Sequence, residues 1–290
     1  MGNRQAGAMR RVLLIILVFV LVRPAVAADY YFITSDNVRL HYSVSGPAGA
    51  PTLVFVPGWT MPGWIFGPQI AAFSTKYRVV AFDPRGQGES EIAPSGYNQD
   101  RRGQDIAELL AQLGGGQVVL VGWSLGVLDT LAYIHAHGDA RVAGLVLIDN
   151  SVGENPAPAP ERPRPHHGRP VSHDVYMRAF VASMFHTKQS QQYLNRLTAA
   201  ALRTPAPDAA LLLAYPVPRS YWKAAIFSTD KPVLYVVRPG LAGQANNLLA
   251  DRPDTTIEIY PHAGHALFVD EAPQFNALMA RFLATSVWPP

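Results

Sequence analysis

The chain has 290 residues, 49% hydrophobic and 16% charged, and contains no cysteine. This is enough apolar material for one large domain, and it excludes a disordered chain, a disulfide scaffold, a thiolate metal site and a cysteine nucleophile. The formal charge of +3 belongs to the first 27 residues, where Arg4, Arg10, Arg11 and Arg23 have no acidic counterpart; the remainder is close to neutral and offers no general attraction for nucleic acid.

Those 27 residues read as an export leader. Arg10 and Arg11 precede the apolar run Val12–Val22, and Ala25-Val26-Ala27 has the small-x-small pattern of a cleavage site. At about 1.5 Å per residue the run falls well short of a ~30 Å hydrocarbon core, so no stable membrane anchor is expected. The expectation is a periplasmic or secreted protein that begins near Ala28.

Residues 30–34 and 38–44 then read as a hairpin about Ser35-Asp36-Asn37. Short, almost continuously apolar runs follow at Thr52–Val56, Arg78–Phe82, Gln117–Val121, Val142–Ile148, Pro232–Val237 and Thr255–Tyr260. Continuous rather than alternating apolarity predicts strands covered on both faces, as in a parallel sheet. Helical spacing appears at Asp105–Leu113, Leu125–His137 and Glu271–Thr285. Strand–helix alternation of this kind argues an α/β fold, a mostly parallel central sheet with helices on both faces.

One interval breaks the rhythm. From 151 to 228 no strand is evident; a proline-rich tether precedes helical patterns near 173–187, 189–203 and 219–228. It reads as a helical lid inserted into a core of residues 28–150 and 229–290. His166 and His167 on the tether lack acidic neighbours, so no metal site is expected there.

Gly122-Trp123-Ser124-Leu125-Gly126 carries the chemistry. It follows a strand run and opens a helical pattern, the context in which G-x-S-x-G forms a sharp turn that lifts the serine hydroxyl clear of the sheet. Small residues at 122 and 126 avoid neighbouring backbone. Asp83-Pro84-Arg85-Gly86-Gln87-Gly88-Glu89-Ser90 and Gly264-His265, just after the last strand, add two further motifs.

Together with Val56-Pro57-Gly58-Trp59, these segments resemble the α/β-hydrolase superfamily, over roughly residues 30–150 and 230–288, with details closest to its esterase and cofactor-free haloperoxidase-like members. The resemblance implies Ser124 as nucleophile, His265 as its general base, and the backbone N–H groups of Trp59 and Leu125 as an oxyanion hole. Pro57 stands where the family often has His. The near competitor of His265 is His262, three residues upstream.

The acid is missing from its usual place. The strand after the lid runs into Arg238, and no carboxylate occurs between Lys231 and Ala250. Some relatives take the acid from the end of the strand before the lid, which here points to Asp149; Glu154, Asp251 and a dyad without an acid are the alternatives. The implied activity is hydrolysis of a small to medium apolar ester through an acyl-enzyme, without a cofactor. Trp59 and Trp123 are the aromatic side chains expected near the substrate pocket. A perhydrolase or haloperoxidase-like reaction with the same residues, or a catalytically weak ligand-binding protein, are the competing readings.

Overall fold

A computed structural model describes residues 27–158 and 171–289. The leader, but for Ala27, lies outside the described residues, as does most of the tether, including His166 and His167.

In chain order the chain forms β1 (Ala28–Ile33), β2 (Arg39–Ser45), β3 (Thr52–Val56), α1 (Gly67–Phe73), β4 (Arg78–Asp83), α2 (Gln99–Gln112), β5 (Val118–Trp123), α3 (Leu125–His137) and β6 (Val142–Ile148). An insertion carrying α4 (His173–Ser183), α5 (Gln191–Ala201), α6 (Ala206–Leu212) and α7 (Arg219–Phe227) follows. The chain then returns to the sheet with β7 (Val233–Val237), α8 (Ala242–Asp251), β8 (Thr256–Ile259), α9 (Leu267–Asp270) and α10 (Ala272–Phe282).

Among the described residues eight strands form one sheet, in the order β1-β2-β4-β3-β5-β6-β7-β8. β2 pairs antiparallel with β1 and with β4, and the remaining neighbours are parallel. β3, β5 and β7 are buried along their whole length, which is why their sequences are continuously apolar. From β3 the chain steps to β4 on one side and then crosses to β5 on the other. The carboxyl ends of β3 and β5 therefore flank the point where the winding reverses, where open α/β sheets leave a crevice.

The first turn of α2, absent from the periodicity reading, is set by a cap rather than by apolar spacing. The Asn98 side chain accepts a 3.0 Å hydrogen bond from the amide of Arg101. Gly103 lets α2 approach α3 closely, since a Cβ there would stand 2.9 Å from the backbone of Ala132 and Tyr133. Across the same contact Arg102 and Asp129 form a buried ion pair.

Ser172 and Ser190 cap α4 and α5. α6 and α8 were not foreseen: α6 is short, and the polar, small stretch that forms α8 buries only Gln244, Ala245 and Leu248. The last helix ends at Phe282 rather than Thr285, and the chain continues in a wider turn over Leu283–Val287.

Candidate active site

Ser124 stands between β5 and α3 with φ 54° and ψ −121°, a conformation that costs a non-glycine residue about 1–3 kcal/mol. Its neighbours make room for it. A Cβ on Gly122 would collide with the carbonyl of Gly126, and a Cβ on Gly126 with the carbonyl of Val56. The Ser124 amide donates to the carbonyl of Ile148 at 2.9 Å, and its own carbonyl accepts from the side-chain amide of Asn150 at 2.8 Å. The turn is thus pinned to the end of β6.

His265 reaches this turn from the loop between β8 and α9. Its Nε2 lies 2.8 Å from Oγ of Ser124, and its Nδ1 lies 2.7 Å from Oδ2 of Asp149. Because an ionised carboxylate can only accept, the proton sits on Nδ1 and the Nε2 lone pair faces the serine hydroxyl. The structure therefore brings Ser124, His265 and Asp149 into one hydrogen-bonded line, across 141 and 116 residues of sequence.

Asp149 follows β6, with φ 50° and its amide donating to the carbonyl of Val236 at 2.8 Å. Its side chain is 1% exposed. Oδ1 accepts from the amide of Arg238 at 3.0 Å, and Oδ2 from Nε of Arg238 at 2.5 Å. Burial alone would push this carboxyl up, but the hydrogen bond from His265, with the charge and amide of Arg238, outweighs it and holds the group below the ordinary carboxylate value.

The strand end of β3 supplies the opposite wall. A Cβ on Gly58 would be 2.9 Å from that of Ser124, so this backbone runs directly beside the hydroxyl. The amides of Trp59 and Leu125 make no hydrogen bond among the described residues. Free main-chain donors of this kind, one of them at the amino end of a helix, are groups that can receive an anion. The Gln87 side chain holds the β3 loop in place, donating to the carbonyls of Gly58 at 2.9 Å and Met61 at 2.8 Å.

The rest of the Asp83–Ser90 segment is scaffold. Asp83 accepts from the amides of Gly63 and Glu89, at 2.6 and 2.8 Å, while the fully buried Arg85 donates to both oxygens of Asp105 at 2.6 and 2.7 Å. Gln87 and Arg238 were missed by sequence reasoning. Gln87 lies inside a motif that drew notice for its glycines and Asp83; Arg238 could have been found by asking what replaces the absent acid.

Trp123 does not line a pocket as expected. Its ring is 1% exposed and sits behind the histidine, with centroids 5.1 Å apart, and its Nε1 donates to the carbonyl of His265 at 2.8 Å. A side chain at the last position of a buried central strand points into the layer beneath the site. Trp59 meets the insertion instead: Nε1 donates to the carbonyl of Ala209 at 2.7 Å, and the ring stands edge-on to Phe180 at 5.0 Å.

The other acid candidates lie elsewhere. Glu154 and Asp251 both face Lys223, at 2.7 and 3.7 Å. His262 is exposed. A second carboxylate, Asp270, ties the histidine loop to the insertion by accepting from the amides of Gly264 at 2.7 Å, His186 at 2.8 Å and Thr187 at 2.9 Å. The Ala266 amide also donates to the carbonyl of Met184, at 2.9 Å.

Over 119 residues, 41% of this chain and 43% of the relative, the sequence is 34% identical to a bifunctional esterase/perhydrolase of Acinetobacter calcoaceticus. It is likewise 34% identical over 121 residues to a non-heme chloroperoxidase of Burkholderia pyrrocinia, covering 41% and 44%. The matched segment thus spans under half the length of these curated relatives. An esterase from Rhodococcus sp. ECU1013 superposes with a TM-score of 0.74 at 22% identity, covering 89% of this chain and 99% of that one, and shares the fold. A bromoperoxidase from Bacillus anthracis does so with a TM-score of 0.72 at 20% identity, covering 88% and 99%. Residues 53–278 match the alpha/beta hydrolase family. The chain belongs to that family.

Proposed function

We propose that this protein is a serine hydrolase that cleaves carboxylic esters of small to medium apolar acyl groups, with Ser124, His265 and Asp149 as its catalytic residues. The observation that carries this reading is the 2.8 Å approach of Nε2 of His265 to Oγ of Ser124, with Asp149 fixing the opposite face of the ring.

In the first half-reaction the Ser124 oxygen attacks the ester carbonyl while its proton passes to Nε2. The carbonyl π pair becomes an oxyanion received by the amides of Trp59 and Leu125. Collapse breaks the bond to the leaving alkoxide, which takes the proton from Nε2, and an acyl-Ser124 remains. Water then repeats the sequence, giving its proton to Nε2, and the acid departs as Ser124 is reprotonated. Asp149 stabilises the imidazolium in both halves without itself accepting a proton.

Trp59, Phe180 and Tyr176, whose ring lies 6.4 Å from that of Trp59, form an apolar wall between the β3 loop and the insertion. This favours an apolar acyl or alcohol group. In this reading residues 151–228 serve as a lid, and the leader directs the enzyme to the periplasm or beyond. An ester panel graded in acyl length, run on wild type and Ser124→Ala together with fluorophosphonate labelling, tests the assignment. Activity and labelling that survive in Ser124→Ala would overturn it, and a wild type that neither hydrolyses nor labels would favour a ligand-binding role.

A second reading follows from the relatives named as an esterase/perhydrolase and a chloroperoxidase. Hydrogen peroxide in place of water would attack the same acyl-enzyme and release a peracid. Bromination of a reporter in bromide, peroxide and acetate, lost in Ser124→Ala, is the measurement that supports it.

A further inference from the structure

Asp149 does not serve His265 alone. Its Oδ2 accepts from both the imidazole, at 2.7 Å, and Nε of Arg238, at 2.5 Å, while Oδ1 accepts from the Arg238 amide at 3.0 Å. Both oxygens are therefore held by one residue, which stops the carboxylate from turning about its terminal bond. Nη2 of the same guanidinium lies 3.4 Å from Nδ1 of His265, so a permanent positive charge stands beside the ring that must become positive during the reaction.

The placement follows from the sheet. β6 and β7 are parallel neighbours, so the residues just beyond their ends lie side by side. Where the strand after the insertion would ordinarily present a carboxylate to the histidine, this chain presents Arg238, and the carboxylate stands one strand over. The remaining titratable groups around the histidine are accounted for. From β7, the Tyr235 hydroxyl donates to the carbonyl of Asn150 at 2.8 Å and is kept neutral by burial. Asp270 on α9 spends its oxygens on the amides of Gly264, His186 and Thr187, together with the Thr187 hydroxyl. His262 is exposed.

We infer that Arg238 is a positioning residue that holds both oxygens of the Asp149 carboxylate and aims it at Nδ1 of His265. The inference rests on the serine-hydrolase reading above. Arg238 is 42% exposed, so water screens part of its field and the effect is smaller than that of a buried charge.

The test compares wild type with Arg238→Ala, Arg238→Gln and Arg238→Lys. It measures kcat and KM for an activated ester, and the rate of Ser124 phosphonylation by a fluorophosphonate, across about pH 5 to 9. Melting temperature reports folding. Arg238→Ala is expected to lower kcat and the phosphonylation rate about tenfold with little change in KM. Arg238→Lys, which keeps the charge but lacks the guanidinium fork, should return part of the lost rate. Arg238→Gln, which can still donate to the carboxylate, should also recover part of kcat; it carries the comparison should Arg238→Ala fail to fold. Turnover and Ser124 phosphonylation rates that match wild type in both Arg238→Ala and Arg238→Gln would overturn the role given to Arg238 and leave the hydrolase reading standing. A wild type that takes no label at all would remove both.

Discussion

Ser124 and Asp149 each stand just past the end of a buried parallel strand, and each has a positive φ, 54° and 50°. They are held there in opposite ways. Around Ser124 the main chain is packed so closely that Gly122 and Gly126 have no room for a Cβ, and the site is defined by backbone. Around Asp149 the work is done by charge and side-chain hydrogen bonds: an imidazole on one loop and a guanidinium on another converge on one carboxylate. A position defined by backbone cannot move without rebuilding the turn. One defined by charge can be supplied from any strand end within reach of the histidine, which is how its carboxylate partner comes to stand on β6 here.

Substitutions can separate these two kinds of constraint. The largest effect is expected from Ser124→Ala, which should lower kcat/KM for any hydrolysed ester by about 10⁴-fold or more while leaving the melting temperature unchanged or slightly raised, because a residue in a strained turn is replaced without adding atoms. Asp149→Asn should come next, at about 10²–10⁴-fold in kcat with Ser124 still slowly labelled, since an amide can hold the wrong histidine tautomer. Gly126→Ala breaks the backbone side of the comparison. Its new methyl would meet the Val56 carbonyl, so both activity and stability should fall, with a loss of about 3 kcal/mol or more in denaturant unfolding.

Gln87→Ala should be milder. Freed of two hydrogen bonds, the loop bearing the Trp59 amide loosens, and kcat is expected to drop about tenfold with KM little changed.

The smallest signature is in pH. The Asp149 carboxyl is held below its ordinary value of 3.8, so its contribution to stability is complete above that value and is lost as pH falls below it. The stability gap between wild type and Asp149→Asn, followed by thermal melts, should therefore narrow on acidification below 3.8. A gap that widened there would mean that the carboxyl is not ionised in the folded protein.

Much of this architecture was legible because parallel strands buried on both faces must be written as continuous apolar runs. Thr52–Val56 and Val142–Ile148 coincide with the observed strands residue for residue. The helix over Leu125–His137 was equally plain, since it starts where the serine turn ends. α8 was not legible, because a helix lying on the sheet's outer flank with three buried side chains writes almost no periodicity. Asp149 emerged only through the absence of a carboxylate elsewhere. Its partnership with Arg238 spans 89 residues and depends on two strands being neighbours, which no local pattern records. Trp123 misled because apolarity beside a serine does not say which face of the strand the ring occupies.

Asp270 joins the loop that carries His265 to the turn at His186 and Thr187, so a single carboxylate moors the imidazole's loop to the insertion. On the function proposed above, any displacement of the insertion at that mooring would carry the imidazole away from the hydroxyl with it.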